Sequence, residues 1–253
     1  MTNAPAAAQA LEVLRLLARH TEPVPASAIA RDLGLPRSSV YHLLAVLGDQ
    51  GFVVHLADER RYGLGVAAFE LGVAYTRQAP LQRLARQPML HLVKATRHNA
   101  QLTVLHGRDV LYVIEERAPG RQSLVSDVGV RLPAQLTASG LAMLAYLPPQ
   151  QVRALFPSRD VFVERQGGGP MTLPRLRTEL SRVRREGFAS EDGTVTPGFA
   201  SVAAPVFDHR GHPVAGIAVT YPTARVTAEK RLTLVDEVVR TAQELTRRVR
   251  GRA

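Results

Sequence analysis

The sequence predicts an α/β (α+β) protein of two domains: a small helical one closed by a two-stranded hairpin, and a larger one with helices packed on an antiparallel sheet. Three observations carry this. The chain has 253 residues and 45% hydrophobic content, enough for two cores. Three amphipathic helical patterns precede Gly51 and are followed by paired extended segments. Beyond residue 80, strand pairs joined by Gly-containing turns are interleaved with helices. Cysteine is absent, which removes disulfides, thiolate metal sites and a cysteine nucleophile and agrees with a reducing compartment. Glu12 and Arg15 interrupt the N-terminal apolar character and no basic n-region precedes them, so no secretory signal is read. No apolar run approaches the ~18 residues of a membrane span. A soluble cytoplasmic chain without a membrane partner is expected.

In the first domain, residues 1–64, Leu11, Leu14, Leu17 and Ala18 follow the helical period over 10–18. Pro23 and Pro25 disfavour its continuation. A second helix over 26–33 carries Ile29 and Leu33 one turn apart and ends at Gly34, which can take the left-handed conformation. A third begins at or just after Pro36, with Val40, Leu43, Leu44 and Leu47 on one face and Arg37, Ser38, Tyr41, His42 and Ala45 on the other. Gly51 closes it. Phe52, Val54 and Leu56 then alternate with Val53 and His55, a turn follows over 57–60, and 61–64 returns. A linker helix over 65–79 (Val66, Phe69, Leu71, Val73) leads out.

The larger domain, residues 80–253, opens with a helix over 81–96 and a hairpin of 101–105 with 110–115. A helix over 137–147 ends at Pro148-Pro149. A loop carrying Gly167-Gly168-Gly169 precedes a helix over 172–186, with Thr172 as N-cap and Gly187 just past its end. A second hairpin joins 199–207 to 214–220 over Asp208-His209-Arg210-Gly211. The last helix, 227–249, presents Leu232, Val235, Val238, Val239, Ala242, Leu245 and Val249 on one face.

Charge does not by itself mark a nucleic-acid binder. Net charge is +10, but residues 1–80 hold seven Arg and seven acids, so the excess lies wholly beyond them. DNA binding therefore requires locally placed cations, which the third helix supplies. Its underside is apolar, while Arg37 can donate to guanine or phosphate, Ser38 and Ser39 let the helix start approach a phosphate, and Tyr41 and His42 reach outward. Arg60 and Arg61 at the hairpin tip suit flanking backbone or a narrow minor groove. This pattern is a winged helix-turn-helix for double-stranded operator DNA. A plain three-helix bundle with a solvated face would not require the turn, the wing and the outward Arg and Ser together.

The run from Ile29 to Leu44 (IARDLGLPRSSVYHLL) followed by Gly51-Phe52-Val53 resembles the IclR family of bacterial transcriptional regulators. Gly129-Val130-Arg131-Leu132-Pro133, Thr137-Ala138-Ser139-Gly140, Leu144-Ala145, Gly187-Phe188-Ala189 and the run from Gly198 to Asp208 extend the resemblance through the larger domain. It implies a GAF-like effector domain, a homodimer or homotetramer and a palindromic operator; no cofactor is expected. It places a small-molecule effector against Leu132, Ala138, Ser139, Glu191, Phe199, Ser201, Ala218 and Thr220. Strand alternation independently puts Phe199 with Ser201, and Ala218 with Thr220, on one face; ordinary core packing is the competing reading. Where the family often has His, Lys and Ser, this chain has Gln135, Leu141 and Ala218, and a commonly acidic segment reads Gly193-Thr194. Fewer fixed charges and hydroxyls imply a ligand more apolar than a small carboxylate.

An enzyme on the larger domain is the rival class. His91, His98 and His106 are too widely spaced for a metal site. Asp208, His209 and His212 read as a polar turn. Ser139 lacks a nucleophile elbow, and no Gly-Lys-Ser or Gly-Lys-Thr follows the triple glycine. A non-specific architectural DNA binder needs diffuse positive charge on the first domain, which is absent. Arg247, Arg248, Arg250 and Arg252 suit a solvated helix end.

Overall fold

The computed structural model describes residues 4–78, 80–120, 127–165 and 168–251. Ala79, Gly167 and Arg252, named above, lie outside them. The chain divides into two compact units, Met1–Ala79 and Pro80–Ala253.

In the first unit, α1 (Pro5–Leu17), α2 (Ala26–Leu33) and α3 (Arg37–Asp49) precede β2 (Val53–Leu56), β3 (Arg61–Leu64) and α4 (Val66–Gln78). Helix α1 starts earlier than its apolar pattern, because Pro5 suits the first turn and the alanines after it are strong helix formers. Gly34 ends α2 at φ 64°. Val13, Ile29, Val40, Leu44 and Leu47 meet in the core. The hairpin differs from expectation in phase: Val53 is buried and Val54 exposed. Phe52 belongs to the turn after α3, its N–H donating to Leu47 O, so strand alternation starts one residue later. A third strand also appears. The segment that stops α1 supplies β1 (Val24–Pro25), an edge pairing with Tyr62 and Arg61, a position that tolerates proline. Gly65 N–H donates to Phe52 O and Ala67 N–H to Gly51 O; a Cβ at Gly65 would collide with Gly51 O.

The second unit is a six-stranded antiparallel sheet in the order β6-β5-β4-β9-β8-β7. Its strands are β4 (Asn99–His106), β5 (Asp109–Glu116), β6 (Arg131–Pro133), β7 (Ala189–Asp192), β8 (Phe199–Phe207) and β9 (Pro213–Pro222). Helices α5 (Pro80–Thr96) and α9 (Ala228–Val249) cover one face, and α6 (Ala138–Leu144), α7 (Pro149–Leu155) and α8 (Leu173–Glu186) the other. Strand periodicity builds these layers: Ala200, Val202, Ala204 and Val206 face α5 and α9, while Ala203 and Ala218 face α6 to α8.

Thr172 and Thr227 cap α8 and α9 by accepting from Arg175 N–H and Lys230 N–H. On α9, Leu234 is buried and Leu232, expected in the core, is 66% exposed; a helix packing on a twisted sheet rotates its buried stripe away from the simple period. Helix α6 stops at Leu144, short of the expected 147, as Tyr146 N–H and Leu147 N–H turn back to Met143 O and Leu144 O before Pro148. The short β6, β7 and α7 escaped sequence reading because segments of three to seven residues carry too little periodicity.

Two glycines let α6 lie against the sheet. A Cβ at Gly140 would collide with Ala134 O, and one at Gly216 would press on Ser139. Thr137 caps α6, accepting from Gly140 N–H at 3.1 Å. Arg184 of α8 donates to the carbonyls of Ala145 and Leu147, satisfying acceptors at the α6 exit.

Candidate functional site

Helix α3 carries the first site. Val40, Leu43, Leu44 and Leu47 are buried beneath it, while Arg37, Ser38, Tyr41 and His42 are exposed and Ser39 is half-buried. Its N-cap is Pro36, which offers no side-chain acceptor, and the first turn has no acid. The leading N–H groups of α3 therefore keep their capacity for an outside anion. Beside it, β2 and β3 form the wing, on which the rings of His55 and Tyr62 stack with centroids 4.5 Å apart. The wing turn places Arg60 at φ 53°, a left-handed conformation costing a non-glycine residue roughly 1–2 kcal/mol. Arg61 is placed differently from the expected wing tip: it is half-buried and donates to Pro23 O at 2.9 Å, fastening β3 to β1.

The second site lies between the sheet and α6. Gln101, Tyr112, Thr137, Ala138, Ser139, Glu191, Val195, Thr196, Phe199, Ser201, Ala218 and Thr220 line one cavity of about 20 Å³, room for roughly one water. Strand register assembles its floor, pairing Glu191 with Ser201, Ser201 with Thr220, and Gln101 with Ala218. The Ser201 hydroxyl donates to Glu191 Oε1 at 2.6 Å and lies 3.0 Å from Thr220 Oγ1. Thr220 Oγ1 is in turn 3.3 Å from the Gln101 side-chain amide. Glu191 Oε2 accepts from Thr194 N–H at 3.1 Å and from the Thr194 hydroxyl at 2.6 Å, and Leu136 O lies 2.8 Å from the same hydroxyl. Burial, then the charges of Glu191 and Glu115, raise the Tyr112 pKa, so its hydroxyl stays protonated. Across Glu191 and Thr194 lies a larger chamber of about 380 Å³, bordered by Arg175, Glu179 and Gly169.

Seven of the eight expected effector residues line the cavity together. Leu132 does not: it pairs with Val110 at the sheet edge and is core. Sequence reading missed Gln101, Tyr112, Thr137, Val195 and Thr196, and alternation along β4 was the one signal that could have found Gln101. The floor is more polar than the substituted positions alone suggest, because Gln101 joins it and Thr194 bonds to Glu191.

Asp208 caps its own turn, accepting from Arg210 N–H and His212 N–H at 2.8 and 2.9 Å. The His212 backbone bond is the main cause of its lowered pKa. Among the described residues no group of His, Cys, Asp and Glu is arranged to hold a metal, and no helix is long and apolar enough to cross a membrane.

An apolar-backed helix with an outward Arg and Ser face beside a wing, joined in one chain to an α+β unit with a polar cavity, defines the class of ligand-responsive DNA-binding regulators. Residues 6–57 match the IclR helix-turn-helix domain and residues 73–247 the bacterial transcriptional regulator IclR C-terminal domain. The chain belongs to the IclR family and is a transcriptional regulator, not an enzyme. It is 29% identical to the HTH-type transcriptional regulator BhcR of Paracoccus denitrificans over 94% of this chain and 84% of that protein. The crystal structure of an IclR-type regulator from Silicibacter sp. TM1040, 25% identical, superposes with a TM-score of 0.84 over 98% of this chain and 97% of that one. An IclR homologue from Microbacterium hydrocarbonoxydans, solved with 4-hydroxybenzoate, shares the fold at 22% identity and TM-score 0.83, over 97% of this chain and 99% of that one.

Proposed function

We propose that Arg37, Ser38, Ser39, Tyr41 and His42 form the operator-reading surface, with Arg60 on the flanking backbone and Arg61 holding the wing that presents it. The observation that carries this is the division of α3 into a buried apolar side and an exposed polar one. Arg37 reaches a guanine edge, while the uncapped start of α3 with Ser38 and Ser39 receives a phosphate. Keeping arginine at a left-handed position where glycine is free of strain supports a task for the Arg60 side chain.

In the second unit, the effector binds at Ala138, Ser139, Glu191, Phe199, Ser201, Ala218 and Thr220, joined by Gln101 and Tyr112. Support comes from the convergence of these residues on one cavity and from a ligand-bound structure within the same fold. The regulator acts in the cytoplasm as a homodimer, placing two α3 helices roughly 34 Å apart in successive major grooves. Exposed Val66 and Phe69, one turn apart on α4, support self-association there. Effector binding shifts operator affinity to the extent that it binds two arrangements of the dimer unequally.

A mobility-shift assay with duplexes flanking this gene and scrambled controls tests the reading. Selective retention of one duplex supports it; equal affinity for both, or none for either, refutes it.

A further inference from the structure

We infer that the cavity beside Glu191, which at about 20 Å³ must widen to admit more than a water, takes a small ligand that carries no negative charge and presents O–H or N–H donors to the protein, an inference that rests on the effector reading above. Two independent observations lead there, one from charge and one from the count of protons.

Among the described residues, none that lines the cavity is Lys, Arg or His. Glu191 is 8% exposed and enters no ion pair among the described residues. A carboxylate ligand would add a second negative charge with no cation among the described lining residues to offset it. At about 4 Å and an effective dielectric constant near 20, that repulsion weakens binding by about a thousandfold.

The hydroxyl network sets the direction of its own bonds. Ser201 has one hydroxyl proton, and Glu191 accepts it at 2.6 Å. The 3.0 Å contact between Ser201 and Thr220 then needs the Thr220 proton. None remains for the 3.3 Å contact with Gln101, so the amide itself must donate there. Amide nitrogen and oxygen share one outline, and only the bonding network distinguishes them. With its nitrogen toward Thr220, Gln101 heads a single file of donors that ends on the carboxylate. Its oxygen then takes the other amide position, which is buried without a partner among the described residues. The protein groups left open are acceptors: this oxygen and the remaining lone pairs of Glu191. A buried acceptor without a donor is costly, and a ligand hydroxyl or amine relieves it.

Calorimetric and thermal-shift titrations of the full chain with glycerol, 1,3-diaminopropane, glycerate and pyruvate at millimolar concentration test this, alongside operator mobility shifts. Glycerol or 1,3-diaminopropane is expected to bind and raise Tm, and the two carboxylates to leave it unchanged. In Glu191→Gln, glycerate should gain at least tenfold. In Gln101→Met, the donor-bearing probe should lose about tenfold, as expected for one unmade buried hydrogen bond. Wild-type binding of glycerate or pyruvate as tight as that of glycerol overturns the inference, as does silence from both donor probes in a chain that still binds operator. The wild-type panel decides even if neither variant folds. A donor probe that binds without changing operator affinity would leave the ligand class standing and sink the effector role instead.

Discussion

Helix α3 and the Glu191 cavity are both polar sites on apolar supports, yet they treat their polar groups in opposite ways. None of the side chains of Arg37, Ser38, Ser39, Tyr41 and His42 makes a hydrogen bond to another described residue. In the cavity, Glu191, Ser201, Thr220 and Gln101 bond to one another across strands β7, β8, β9 and β4. A surface for a large charged polymer can leave donors to water until the polymer arrives. A buried cavity must pair its polar groups with one another or with a ligand, because each unmade bond there costs ~1–3 kcal/mol. The difference teaches that one site is local to a single helix and the other exists only through sheet register.

The largest expected effect separates the two supports. Ile29→Ala, at a fully buried position, should destabilise the first unit by about 2–5 kcal/mol and abolish operator binding. Ligand titrations should remain as in wild type, and parallel loss of both activities would show that the regions are not separable. Next, Gly140→Ala should cost the second unit about 1–3 kcal/mol by pushing α6 off Ala134. The thermal transition of that unit should fall, and effector binding should weaken while the first unit keeps its stability.

On the exposed side, Arg37→Ala should weaken operator binding by about 1–3 kcal/mol and relax discrimination at one base pair, without change in thermal stability. A footprint indistinguishable from wild type would remove Arg37 from the reading surface. The smallest expected effect is at the wing. Arg60→Gly should stabilise the turn by roughly 1 kcal/mol while lowering the slope of log affinity against log salt by about one. An unchanged slope would mean that Arg60 meets no phosphate.

Legibility followed the same division. The face of α3 was readable because four apolar residues at helical spacing fix which side is outward. Phe199, Ser201, Ala218 and Thr220 were readable as one face, since strand alternation is equally local. Gln101 and Thr194 were not. Gln101 reaches the cavity because β4 lies beside β9, and Thr194 holds Glu191 because its loop folds back on Glu191 and Leu136. Arg61 was legible as a wing residue, but its bond to Pro23 depends on β1, a two-residue strand with no periodicity of its own.

The amino-acid order alone determined the helices, the hairpins, the outward Arg-Ser face and the family, because all of these rest on spacing along the chain. Tertiary structure decided which residues share the cavity, where the carboxylate finds its partners, and that Leu132 and Arg61 serve packing and fastening. Those outcomes depend on strand neighbours far apart in sequence. A residue's own periodicity sets which face of its element it occupies, and only the assembled sheet sets what that face meets.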